Sequence, residues 1–345
     1  AGTGSFGLTA ANQDTIDLLG FSQADLGLPD GTLPSQAFAP NVTLPITSPF
    51  GLIALDRSAF TAGVQSGRAQ ASPLIPGTNI PAAQVFADGV LRAFDPGVSV
   101  GGFDSSGGDG IGGNDNSIIV PRLDQIVVSA GADYEITSGV EAFFEGTFAF
   151  TDGLDQTGTP FSDDIPIQSD NPFIPAALAA QTAELDSLGI DNQILVSRDI
   201  LDLGVNPQQQ TDRTSWRIVG GLRGEIADNW DWEVSYTYGR TQVESTFLRT
   251  RLEDRYYYAI DAVAITQDDI DNGFGTITAL RNGEGLEINP GSALVGDVVC
   301  RSELDGTAPG VSPFPQPPTD ADGNALPLSF TPQTGQCAPI KIFGR

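Results

Sequence analysis

Residues 126–150 read IVVSAGADYEITSGVEAFFEGTFAF. Ile126, Val128, Ala130, Ala132, Tyr134 and Ile136 alternate with Val127, Ser129, Gly131, Asp133 and Glu135, so one face is apolar and the other polar but for Val127. After a short turn the alternation restarts, with Val140, Ala142, Phe144, Gly146, Phe148 and Phe150 opposite Glu141, Phe143, Glu145, Thr147 and Ala149. A period of two on both sides of a turn predicts an antiparallel hairpin. What lies against its apolar face, a second sheet or lipid, decides the fold.

A second stretch repeats the pattern. Trp216, Ile218, Gly220, Leu222, Gly224 and Ile226 share a face, and beyond ADN (227–229) so do Trp230, Trp232, Val234, Tyr236 and Tyr238. Arg217, Arg223, Glu225, Asp231 and Glu233 take the other side. The two tight turns, TSG (137–139) and ADN, each take about three residues, whereas the connections at the opposite strand ends run to about sixty or more. The predicted order is a loop region (1–121), a hairpin (122–151), a loop (152–212), a second hairpin (213–252) and a final loop (253–345). Within the middle loop, NPFIPAALAAQTAELDSLG is a candidate short helix, with Asn171 or Pro172 near its start, Pro175 in its first turn and Gly189 at its end; ILVSRDILDLG (194–204) is a candidate strand.

Composition narrows the function. The 345-residue chain has a net charge of −28, which opposes binding of nucleic-acid phosphates and suits either solvated loops or contact with cations. There is no His, so His-dependent catalysis and His-ligated metal sites are excluded within the chain. The P-loop pattern is absent, and without His no Ser/His/Asp arrangement can form, so the chain is not expected to be an enzyme. With no Met and no signal sequence, it reads as an internal piece of something larger. Cys300 and Cys337, in a segment rich in Pro, Gly and Asp, predict one disulfide in an oxidising compartment.

Three features favour lipid. Eleven residues at about 3.3 Å each, tilted by about 40°, rise about 28 Å, near the apolar band of an outer-membrane barrel. Tyr134 and Trp230 beside the tight turns, and Phe150, Trp216 and Tyr238 near the opposite ends, approximate two aromatic girdles at water–lipid boundaries. Short turns on one side and long loops on the other match periplasmic turns and extracellular loops. The expected fold class is therefore all-β: an antiparallel transmembrane β-barrel segment with long irregular extracellular loops.

The local text also resembles a known family. FADGVLRAFDPG, SSGGDGIG and PRLDQIVVSAGADYEITSGVEAFFEG, followed by DNPFIP, VSRDILDLG, RTSWRIVGGLRGEIADNWDWEVSYTYGRT, YYYAIDAV, VVCR and GQCAPIKIFG, resemble in content and order the mid-barrel part of TonB-dependent receptors from proteobacterial outer membranes. The resemblance covers roughly residues 85–345. It implies a 22-stranded barrel with an N-terminal plug, importing a scarce nutrient with energy delivered through TonB. The partners implied are outer-membrane lipid, the TonB complex by way of the plug, and a small nutrient ligand. The location implied is the outer membrane of a Gram-negative bacterium, with the loops extracellular. The plug, the TonB box and the terminal aromatic strand lie outside the matching text. A secreted acidic β-rich surface or adhesin module using Ca²⁺, and a passive porin, are the competing readings.

Candidate binding residues are few. Arg255 with Tyr256, Tyr257 and Tyr258 offers stacking surface and hydrogen-bond donors for a ligand, or rings that pack a loop against the barrel rim. No cofactor is expected. GGDGIGGND (107–115) faintly echoes a calcium-binding repeat, and Asp104, Asp109 and Asp115 are adventitious Ca²⁺ ligands at most. The acidic pairs Asp163/Asp164 and Asp268/Asp269 are expected in solvated loops.

Overall fold

The computed structural model describes residues 4–6, 37–39, 41–56, 58, 72–101, 104–112, 116–156, 158–227, 230–272, 280–281, 287–288, 293–305 and 337–344. Asp115 and the proline-rich run VSPFPQPPTDADGNALP (311–327) lie outside the described residues. In chain order the main elements are β1 (Leu52–Ala54), β2 (Ala83–Ala87), β3 (Val90–Ala93), β4 (Arg122–Thr137), β5 (Val140–Asp155), β6 (Phe161–Ile167), α1 (Ala176–Ser187), β7 (Ile194–Asp199), β8 (Gln208–Ala227), β9 (Trp230–Leu248), α2 (Glu253–Ile260), β10 (Ala262–Ala264), α3 (Gln267–Asp271), β11 (Val298–Cys300) and α4 (Arg301–Asp305). The protein is mostly β, with antiparallel sheets, and forms two compact units.

One unit (Asn116–Gly158 and Val205–Thr250) is a four-stranded antiparallel sheet in the order β9-β8-β5-β4. Its strands run to 16, 16, 20 and 19 residues in chain order, against a usual five or six. The expected hairpins are present but longer than their alternation alone showed. They extend at the ends away from the tight turns, where polar residues occupy both faces and the period fades. Each tight turn is closed by a pair (Thr137 with Val140, Ala227 with Trp230) and followed by a one-residue bulge, at Ile136 and at Ile226. Among the described residues the outer edges of β4 and β9 pair with no other strand, so the sheet is open and no closed barrel is formed.

The other unit (Ala1–Asp115, Thr159–Gly204 and Arg251–Arg345) gathers the segments read from sequence as loops. It has order that the sequence reading did not assign. A five-stranded antiparallel sheet runs β6-β7-β1-β2-β3, and β2 and β3 join through Asp88-Gly89, both at positive φ (51° and 77°), the pattern of a two-residue primed turn. Leu52, Ala54, Ala83, Val85, Phe94 and Leu195 form its core, with Phe50 packed on it. The predicted helix forms as α1, starting after Pro175 rather than at Pro172, because Asn171 turns back to accept from the Phe173 amide and donate to the Ile260 carbonyl. α1 buries Leu178 and Leu185, and its Gln181 accepts from Gln84 at 2.7 Å. The predicted strand within 194–204 is β7.

Residues 337–344 knit this unit together. The Ile340 amide donates to Ala259 and the Gly344 amide to Phe50, while Ile342 and Phe343 are buried. Arg198 is wholly buried, donating to the Asp199 carbonyl, the Gly344 carbonyl and, at 2.5 Å, to Asp202. Gly51, at φ +80°, leaves room for this segment, since a Cβ there would stand 3.0 Å from the Ile342 carbonyl oxygen. Cys300 at the end of β11 and Cys337 at the start of the segment form the expected disulfide. Contrary to the exposed setting suggested by composition, both cysteines are buried, against Tyr258.

The disulfide closes a loop with a sequence separation of 37. Chain-entropy loss for a loop of that size is about 4 kcal/mol. The C300S/C337S variant is therefore expected to melt at lower temperature and to expose residues 337–344 to proteolysis. Calorimetry with limited proteolysis checks this, and an unchanged melting temperature would remove the disulfide from the stability argument.

Candidate functional site

The register places most of the apolar residues of the four long strands on one face, with Val127, Phe143 and Val219 among those on the other. Across the sheet, Val128 faces Phe148, which faces Trp216; Ala132 faces Phe144, Gly220 and then Tyr236; Tyr134 faces Ala142, Leu222 and then Val234. This face is bare. Ile126, Val128, Tyr134, Phe144, Phe148, Ile218, Leu222, Val234, Tyr236 and Tyr238 are all exposed, Tyr134 and Tyr236 to 73%. Contiguous exposed apolar surface on this scale is rare on proteins that live wholly in water.

The edges of the apolar face are not parallel to the hydrogen-bonded rows. At the loop end the last apolar residues are Ile126 and Phe150, in one row, then Trp216 two residues lower and Tyr238 two lower again. The edge thus descends four residues over the three steps from β4 to β9. At the turn end the last apolar residues are Ile136, Val140, Ile226 and Trp230; Val140 shares a row with Trp232, and Trp230 lies two residues beyond it, a shallower slant in the same sense. At the loop end, four residues at about 3.3 Å against three strand spacings of about 4.8 Å give an inclination of about 40°. The five aromatic residues singled out from sequence therefore lie on two inclined lines, Phe150, Trp216 and Tyr238 on one, Tyr134 and Trp230 on the other. The Trp216 and Tyr238 rings touch, with centroids 5.2 Å apart.

The opposite face is charged near the tight turns. Arg223 donates to Asp133 at 2.8 Å and to Glu141 at 2.7 Å, with its guanidinium 5.4 Å from the Phe143 ring centroid. Arg223 and Glu141, with Glu135, Glu225, Asp231 and Glu233, line a hollow of ≈ 550 Å³. The Arg223 trio was not singled out from sequence, although the same-face parity of residues 133, 141 and 223 was readable there. At the loop end of the apolar side, Arg122 pairs with Asp124 and Asp152 at 3.3 and 3.1 Å, just past the last apolar row.

The aromatic patch lies on α2, in a stretch where the strand alternation blurs. Glu253 and Asp254 in its first turn favour the helix. Tyr256, Tyr258 and Ile260 are buried; Tyr257 is half-buried and Arg255 exposed. The four residues do not form one ligand-facing surface. Arg251 stacks on Tyr256 (4.4 Å) and Tyr257 (5.7 Å), pairs with Glu253 at 2.7 Å and donates to the Ser162 hydroxyl. Tyr258 backs the disulfide. Rings packing the segment dominate, and Arg255 with the rim of Tyr257 is the part that faces outward.

The acidic residues have structural roles. Both Asp109 oxygens are taken by Arg92, at 2.5 and 2.6 Å, and Asp109 also accepts from the Asp95 amide. This pairing raises the Arg92 pKa above its ordinary value. No group of three acidic or sulfur side chains converges on a metal-sized point among the described residues. Asp164 sits at φ +52° in the irregular part of β6, and Asp269 forms a capping box with Thr266 at the start of α3. Arg301 is held between Asp170 (2.6 Å) and Asp261 (3.1 Å), and its pKa is raised, chiefly through the hydrogen bond to Asp170.

Compared with known proteins, the chain matches no protein-family model and no curated protein.

Burial pushes the Tyr256 phenol above its ordinary pKa, and Ser162 and the Arg251 charge offset this only in part. The folded state then holds that proton more tightly than the unfolded chain. Stability is intact below the unfolded tyrosine pKa of about 10 and declines as pH rises past it. Thermal melts between pH 8 and 11 are expected to show this loss, and Y256F to flatten it. An equally steep alkaline loss in Y256F would place its origin elsewhere.

Proposed function

We propose that the chain is a mid-barrel section of a TonB-dependent outer-membrane receptor. In this reading β4, β5, β8 and β9 are membrane strands, the tight turns are periplasmic and the other unit is extracellular. The observation that carries it is the inclined apolar band. A flat lipid slab crossed by strands tilted about 35–45° requires both edges of the band to run diagonally to the hydrogen-bonded rows, in the same sense. The band is nine to eleven residues tall on each strand (Ile126–Ile136, Val140–Phe150, Trp216–Ile226 and Trp230–Tyr238). At about 3.3 Å per residue and about 40° tilt its height is about 25 Å, that of an outer-membrane apolar band.

A soluble sandwich would cover the apolar face with a second sheet, and the exposure of this face counts against it. Energised import rests on different support, namely the sequence-ordered resemblance to TonB-dependent receptors between residues 85 and 345. On that reading the protein carries out no covalent chemistry. It binds a scarce nutrient from outside, and a plug moved through TonB releases it inward. The open edges of β4 and β9 are where neighbouring barrel strands pair, since an unpaired edge within lipid is costly.

The test is depth-resolved fluorescence of the protein in vesicles. With the other tryptophans replaced by Phe, Trp216 and Trp230 are each expected to be quenched more strongly by lipids brominated near the headgroup than at mid-chain. A Val128→Arg change is expected to cost about 2–4 kcal/mol of membrane stability. Quenching by aqueous acrylamide with no response to bromolipid would sink the membrane reading. Retention of the polypeptide that carries this chain on immobilised TonB periplasmic domain separates a receptor from a passive porin.

A further inference from the structure

The polar face of the four-stranded sheet is divided by charge. Near the tight turns every polar-face row bears at least one carboxylate, from Asp133, Glu135, Glu141, Glu145, Glu225, Asp231 and Glu233. Towards the loop end, the four successive rows through Thr211, Arg213, Ser215 and Arg217 hold no carboxylate on any strand. In a chain with 44 acidic and 16 basic residues, such a gap is notable because two exposed arginines fill it. Among the described residues neither Arg213 nor Arg217 makes an ion pair or a side-chain hydrogen bond. Among the described residues Arg240, opposite Trp216 on the other face, and Arg249, past the end of β9, are likewise unpaired, whereas Arg92, Arg122, Arg198, Arg223, Arg251 and Arg301 are paired with carboxylates.

The surroundings are suited to a polar solute. Ser129 and Thr147 hydrogen-bond at 3.3 Å in the row of Arg217, and Ser215 and Thr241 at 2.8 Å in the row between the arginines. Gly239, opposite Arg217, brings no side chain beside it. Arg213 and Arg217 are four residues apart on one strand face, about 13 Å along the backbone. Two arginine side chains leaning toward each other across that separation can converge on one molecule bearing two anionic groups, each guanidinium offering a planar fork of donors.

We infer that Arg213 and Arg217 form a contact site for a multiply anionic small solute, bearing carboxylates or phosphates, on the polar face of the sheet. This deepens the proposed function by giving the class of ligand that the barrel wall receives, and it rests on that reading only for the direction of approach. The acidic rows beyond repel the same solute, so it stops at the arginines rather than spreading over the whole face.

The test is calorimetric titration of the natural polypeptide carrying this chain, in detergent at low salt, with citrate and with tripolyphosphate. Spermidine serves as a cationic control. Binding of at least one anion is expected, weakened tenfold or more in R213Q/R217Q and largely kept in R213K/R217K, with R122Q, an arginine already paired on the other face, unchanged. The two probes distinguish a carboxylate from a phosphate ligand. No binding of either anion, or binding that survives R213Q/R217Q, would overturn the inference. Because both side chains are exposed, the Gln variants are expected to fold, and single R217Q serves if the double variant does not. Bromolipid quenching on the same samples reads the membrane assignment separately, so arginine-dependent anion binding without quenching would retain this site and reject the barrel.

Discussion

The structure depends on one constraint: a four-stranded sheet carries a broad apolar band on one face with none of its own unit folded over it. Burying a single large apolar side chain is worth about 1.5–3 kcal/mol, and this face presents Ile126, Val128, Phe144, Phe148, Ile218, Leu222, Val234 and Tyr236 to its surroundings. Water opposes that arrangement at every row. The same face is stable if the medium beside it is itself apolar, and then the polar face must carry the contact with water. The charges sort accordingly, with Asp133, Glu141 and Arg223 on the polar face and none within the apolar band.

The two units solve the burial problem in opposite ways. The five-stranded sheet has the ordinary answer of a protein in water, with Leu52, Val85, Phe94 and Leu195 shielded inside and Arg198 buried only because its donors are met. Its strands are short, down to three residues in β1, and its order relies on a disulfide and on the 337–344 segment threaded through it. The four-stranded sheet has no such interior. Its stability comes from long ladders of backbone pairing, which hold 16 to 20 residues straight and keep each side chain on its assigned side.

This difference also decides what was legible in the sequence. Where one face is bare, alternation survives over ten residues, and the hairpins, their turns and the girdle positions can be read by counting. Where strands are buried on both sides, as β1 and β7 are, no alternation remains; LIA reads like loop, and ILVSRD is legible as a strand only as a short run with no face to assign. The helix α2 was hidden because EDRYYYAI carries aromatic residues that favour strands, overridden by acidic first-turn residues and by the burial of Tyr256 and Ile260. The disulfide was legible because only two cysteines were available. The slant of the band, the Arg223 trio and the carboxylate-free rows all needed the register between β5 and β8, which pairs residues as far apart as Val140 and Gly224 and which no local pattern carries.

The slant also accounts for the uneven strand lengths. Beyond the loop-end edge of the band, β4 continues four residues, from Ile126 back to Arg122, whereas β9 continues ten, from Tyr238 to Leu248. If the band lies level in a membrane, strands that end in nearly the same hydrogen-bonded row must rise to different heights above it. The sheet then stands proud of the membrane as a ledge that climbs from β4 to β9. Arg122, Asp124 and Asp152 sit at its base, where headgroups replace acyl chains, and Arg213 lies on its polar side. On the proposed barrel reading, the carboxylate-free rows open at the level where a solute arriving from outside would first meet the wall. The strand overhang and the charge division, two features with no shared cause in local sequence, point to the same place for first contact.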